Sequence, residues 1–115
     1  MKAFKSGVAL VALLASSALM AHGNQGMTYP EDGAMMMSPT EHVEMNFDMP
    51  MNLVNLKVID SNGKPVAIDF DRTKEAKAHY KVMMPMLKPD SYTVQWKAMG
   101  GDGHMMDGSF HFMQH

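Results

Sequence analysis

An all-β, Ig-like sandwich with Greek-key connections is the fold this 115-residue sequence predicts. Three observations carry it. Six or so short segments alternate apolar and polar residues with period two, turn residues recur roughly every 8–12 positions, and no 3.6-residue period is sustained.

The elements follow in order. Residues 22–40 are rich in Gly, Asn, Gln and Pro, with Pro30, Gly33 and Pro39 as punctuation, and read as loop or edge strand. Val43, Met45 and Phe47 then face one way and His42, Glu44 and Asn46 the other, a half-buried strand that Asp48-Met49-Pro50 ends. Val54, Leu56 and Val58 alternate with Asn55, Lys57 and Ile59 up to Asp60-Ser61-Asn62-Gly63-Lys64, where Asn-Gly supplies the positive φ angles of a tight hairpin turn. Val66 to Phe70 is the return strand, and polar Asp71 to Ala78 is loop with at most a helical turn. His79 to Met84 is the next strand and Pro85 to Asp90 a connection. Tyr92, Val94, Trp96 and Ala98, alternating with Thr93, Gln95 and Lys97, form the clearest strand, and Ser109 to Met113 the last. Leu87-Lys88-Pro89-Asp90-Ser91-Tyr92 has the pattern of a tyrosine corner, in which the phenol bonds back to the connecting backbone.

The first residues point to export. Lys2 and Lys5 form a positive n-region, and the apolar run from Gly7 to Ala21 covers 15 residues, short of the roughly 20 a membrane helix needs. A cleaved secretory signal over residues 1–21 is expected, with Leu19-Met20-Ala21 as its ending; cleavage after Ala18, with Ser16 at −3, fits the same rule. Residues 22–115 then form a single domain in the periplasm, without a membrane anchor. Its 94 residues suffice for one modest core.

Two of the ten Lys and Arg lie in the leader, which leaves eight against twelve acidic residues. A net charge of −4 on residues 22–115 argues against nucleic acid and anionic membrane surfaces as partners. No Cys is present, so disulfides and thiolate ligands are excluded, and packing or a bound metal must hold the domain. Methionine is the anomaly: 14 of its 16 occurrences fall in residues 22–115. Met is a flexible core filler, and several of these alternate with polar residues as core positions do. A thioether-rich surface is instead suited to a soft ion such as Cu(I).

Two features carry metal chemistry. Gly100-Gly101-Asp102-Gly103-His104 separates two good strands, and its three glycines leave Asp102 and His104 free to converge. A carboxylate oxygen with an imidazole nitrogen suits Cu(II), Zn or Ni, although the same turn can be simply solvated. His22, as a mature N-terminus, would offer two nitrogens from one residue, the ring Nδ1 and an α-amine whose pKa of about 7.7–8.0 lets a metal claim it at neutral pH.

Over most of residues 22–115 the chain resembles the CopC-like periplasmic copper-resistance proteins. The resemblance lies in His22, Pro30-Glu31-Asp32-Gly33-Ala34 and Val43-Glu44-Met45-Asn46-Phe47. It continues in Leu87-Lys88-Pro89, Tyr92-Thr93-Val94-Gln95-Trp96, Asp102-Gly103-His104 and Gly108-Ser109-Phe110. It implies a seven-stranded Greek-key sandwich holding Cu(II) through an N-terminal histidine brace. The ligands would be the His22 amine and ring, His104, and Asp102 as a nearer or more distant carboxylate. Two departures limit it. Family members with tight Cu(II) sites carry an acidic residue after the Phe-Ser of the first main strand, whereas Asp48 directly follows Phe47, on the other face. Some members also bind Cu(I) in a Met- and His-rich loop, but the matching stretch here, Asp60 to Asp69, has neither residue. Met99, Met105 and Met106 flank the Asp-x-His turn and are the candidate sulfur ligands for Cu(I).

The expectation is therefore a monomeric, non-enzymatic copper carrier or buffer, with copper ions and an inner-membrane copper transporter or another periplasmic copper protein as partners. Two alternatives stand beside it. A metal-free Ig-like interaction module would leave His22, Asp102 and His104 far apart. A histidine-brace oxidative enzyme would need a broad face of exposed aromatics.

Overall fold

The computed structural model describes residues 25–72 and 75–115, and they form strands, turns and loops without a helix. Six strands are present: β1 (Gln25–Tyr29), β2 (Ala34–Met36), β3 (His42–Ile59), β4 (Lys77–Met83), β5 (Asp90–Met99) and β6 (Met105–Gln114). The first part of β3 pairs antiparallel with β1 and β4, and its second part pairs with β5, which pairs with β6. Parallel β2 closes the edge beside β6. One long strand thus serves two layers.

The expected break at Asp48-Met49-Pro50 is a corner inside β3. Pro50 has no N–H to give a ladder, and the pairing of β3 with β4 is irregular between Asn46 and Met51, so the proline falls where no ladder bond is required. Tyr80 holds the corner from the core side: its hydroxyl donates to Met51 O at 2.6 Å and accepts the Leu53 N–H at 3.1 Å. A second irregularity, between Leu53 and Asn55, changes the phase of the strand, so that Leu53, Leu56 and Val58 are buried while Val54 is only half-buried.

The predicted return strand Val66–Phe70 is reduced to two isolated bridges, Ile59 with Pro65 and Asp69 with Met83. The turn before it forms, with Val66 N bonded to Val58 O at 2.7 Å, but of the expected Asn-Gly pair only Gly63 takes a positive φ, +80, and Asn62 does not. Pro65 interrupts the ladder directly afterwards, and Val66, Ile68 and Phe70 pack against the core from a loop. The tyrosine corner is present, with the Tyr92 hydroxyl donating to Lys88 O at 2.6 Å. Burial is the main cause that pushes the phenol above its ordinary pKa.

Val43, Met45, Phe47, Tyr80 and Val82 from one layer meet Leu56, Val94, Trp96, Phe110 and Phe112 from the other. Phe47 is the joint: its ring lies edge-on to Trp96 at 5.3 Å and to Tyr80 at 6.2 Å. Trp96 stands opposite Gly108 on β6, and a Cβ placed on Gly108 would lie 2.5 Å from the indole Cζ2. Gly108→Ala is therefore expected to destabilise the domain by about 1–3 kcal/mol, because the buried indole cannot retreat without disturbing Phe47. Denaturant unfolding of this variant checks it. An unchanged midpoint would mean that the ring has room to move.

Candidate metal centre

The β5–β6 hairpin ends in the five-residue loop Gly100–His104. The Gly100 N–H donates to His104 O at 3.0 Å, and the Gly103 N–H to Gly100 O at 3.0 Å. Gly103 has φ +85, a conformation that side-chain-bearing residues rarely adopt. At Gly100 a Cβ would meet Asp102 Oδ1 at 3.0 Å, so glycine lets that carboxylate fold back over the start of the loop.

Asp102 and His104 converge as the sequence suggested. His104 Nδ1 lies 2.8 Å from Asp102 Oδ2, with the ring N–H donating, and the His104 backbone N–H donates to Asp102 Oδ1 at 3.1 Å. Both side chains are open to solvent, His104 at 81% and Asp102 at 65% exposure. The His104 bond holds the Asp102 carboxyl below its ordinary pKa. The same bond, reinforced by the carboxylate charge, raises the His104 imidazole above its own. With Nδ1 engaged, Nε2 is the nitrogen left to face a metal, and the carboxylate orients the ring as such partners do at metal sites.

Among the described residues no three His, Cys, Asp or Glu side chains gather into a metal-binding group. The pair needs a further donor. His22, the remaining predicted ligand, lies outside the described residues. The strand that follows it is informative nonetheless: traced back toward its start, β1 runs along β3 from Glu44 to Phe47. That direction leads toward Met51, whose Sδ would lie 3.8 Å from a Cβ on Gly100.

The three flanking methionines divide. Met99 and Met105 are cross-strand partners and share a face, whereas Met106 pairs with buried Ala98 and packs against the core. Met51 was not among the expected site residues. The Asp48-Met49-Pro50 stretch reads as a strand end, which hides the fact that β3 continues and delivers Met51 to the base of the loop. Asp48 is exposed on the face opposite buried Phe47.

Residues 26–115 match the CopC domain. The chain belongs to the CopC family. A curated relative, the copper transport protein CutJ of Bacillus subtilis (strain 168), is 31% identical over 98 residues, 80% of this chain. The chain spans only 18% of that protein's length. Among solved structures, CopC from Methylosinus trichosporium OB3b superposes with a TM-score of 0.67 at 21% identity, covering 81% of this chain and 93% of that one. PcoC, a methionine-rich copper resistance protein from Escherichia coli, gives 0.64 at 20% identity, covering 80% and 97%. At these identities the two structures establish a shared β-sandwich, and the CopC family match supplies the kinship.

Proposed function

We propose that this CopC-family chain is a periplasmic copper carrier or buffer that binds Cu(II) between a mature N-terminal His22 and the Asp102–His104 loop. The observation that carries this reading is the Asp102–His104 pair, poised on an exposed glycine-rich loop at the end toward which β1 leads back. His22 stands three residues before Gln25, a chain length of at most about 10 Å, against about 13 Å from Phe47 to Met51 along β3. The amine and ring of His22 and Nε2 of His104 make a nitrogen-rich set suited to Cu(II), with Asp102 holding the His104 ring. Met99 and Met105 stand at the mouth of the loop and offer sulfur to Cu(I), whereas Met106 serves the core.

A carrier requires no substrate face. Trp96, Tyr80 and Tyr92 are buried, and among the described aromatic residues Tyr29 is the exposed one, stacked at 4.9 Å on His42. This favours the carrier over a histidine-brace oxidative enzyme. The copper-related names of CutJ and PcoC point the same way, with copper ions, a membrane transporter or another copper protein as partners.

Intact-mass analysis of the exported protein followed by Cu(II) titration tests the proposal. A mature chain beginning at His22 and binding one equivalent is expected. A chain beginning at Leu19 would keep His22 internal and remove the brace.

A further inference from the structure

The strand that leads back to His22 is held from one side. β1 stands at the end of the sheet order and pairs with β3 alone among the described strands. The pairing is irregular toward its N-terminal end: Gln25 stands opposite Phe47 and Thr28 opposite Met45, so three steps along β1 answer two along β3. One extra residue is taken up there, and such a bulge locally disrupts the ladder. Met27 lies within it, its side chain 73% exposed and so of little use as an anchor.

A side chain spans the irregularity. Asn46, on β3 between Met45 and Phe47, donates from Nδ2 to Met27 O at 3.4 Å. Asn46 Oδ1 in turn lies 2.7 Å from Nδ1 of His79, its register partner on β4. The chemistry fixes the direction of both bonds. A backbone carbonyl only accepts, so the amide turns its NH2 to Met27, and its oxygen then faces His79 and requires the ring proton on Nδ1. His79 thus orients Asn46, and Asn46 holds Met27, a clasp that crosses β4, β3 and β1. The other end of β1 has its own fastening: the Tyr29 ring stacks at 4.9 Å on His42, which bonds to Glu44 at 3.0 Å.

Register is what such a clasp controls. A one-residue slip of a strand displaces whatever precedes it by about 3.4 Å and turns each side chain to the opposite face. We propose that Asn46 and His79 are positioning residues for the copper site, which fix the register of β1 at its bulge and so deliver the N-terminal His22 to the Asp102–His104 loop. The inference rests on the His22 reading of the Cu(II) site. Neither residue is a ligand: both act through the backbone of β1.

Cu(II) titration of Asn46→Leu, in the exported protein and in the same protein carrying one glycine before His22, tests it. Leu keeps the side-chain volume on the outer face but neither donates nor accepts. Affinity should fall about tenfold in the authentic chain, the order that one lost positioning hydrogen bond gives, and no further in the glycine-extended chain, whose amine is already gone. His79→Leu should act in the same direction. His79→Asn, whose Nδ2 falls where the imidazole Nδ1 stood, should keep the parent affinity. In the copper-free protein, amide hydrogen exchange should quicken across β1 in Asn46→Leu and stay unchanged in β5 and β6, with thermal unfolding close to that of the parent. Unchanged Cu(II) affinity in Asn46→Leu, or an equal loss with and without the added glycine, would overturn the proposal and leave the clasp as a fastening of the sheet. Failure of the His22 reading looks different: the added glycine alone would then leave the parent's affinity as it was, and the proposal would fall with it.

Discussion

His104→Ala is expected to lower Cu(II) affinity by orders of magnitude while leaving the sandwich folded. The two effects separate because of where the residue sits. Its side chain is 81% exposed and bonds to Asp102 within the loop, not to the core. The backbone bonds that close the loop, Gly100 N to His104 O and Gly103 N to Gly100 O, survive the substitution, so unfolding should shift by no more than about 0.5 kcal/mol. What disappears is the imidazole nitrogen, and with it a pH dependence. Asp102 raises the His104 pKa, so protons compete with the metal for this ring from a higher pH than for an ordinary histidine. In the parent protein Cu(II) affinity should fall as pH drops through that raised value, and in His104→Ala this component should be missing. Copper titrations at several pH values, run beside thermal unfolding, measure both. Equal affinity in the two proteins would show that the loop is only a turn.

The sandwich was legible because period two is a local signal: Val43 to Phe47 and Tyr92 to Ala98 announce their buried faces wherever their partners lie. The errors arose where a local rule met a tertiary one. Pro50 breaks most strands, yet β3 passes through it because the corner interrupts the ladder there and Tyr80 binds the backbone on the far side. Val54 reads as a core position until the irregularity beside it shifts the phase to Leu53 and Leu56.

At the candidate site the same division holds. Asp102 and His104 are two residues apart in a glycine-rich loop, so their contact needed no knowledge of the fold. Met51 reaches that loop through the pairing of β3 with β5, and Met35 meets Met113 through a parallel pairing between distant parts of the chain. No spacing rule encodes such contacts. They follow from which strand closes which edge, and only the assembled sheets decide that.

Adding one glycine before His22 in the exported protein should abolish most Cu(II) affinity without touching a side chain, the other large effect to be expected. The change converts the His22 α-amine into an amide. An amine of pKa about 7.7–8.0 yields its proton to a metal near neutral pH, whereas an amide nitrogen remains a poor ligand until it is deprotonated. The ring of His22 is retained, as are Asp102 and His104, so a loss of binding isolates one atom. Stability without copper should be unchanged, since the addition precedes β1 and every core residue remains. The electron paramagnetic resonance spectrum of the copper complex should change with the affinity, because an amine nitrogen leaves the coordination sphere. Copper held by other surface histidines, such as His42, His79, His111 or His115, would be indifferent to the added residue. His42 bonds to Glu44, His79 to Asn46 and His111 to Asp32, each within its own part of the sheet surface. An unaltered affinity and spectrum would therefore remove His22 from the site and leave the CopC match as kinship without the brace.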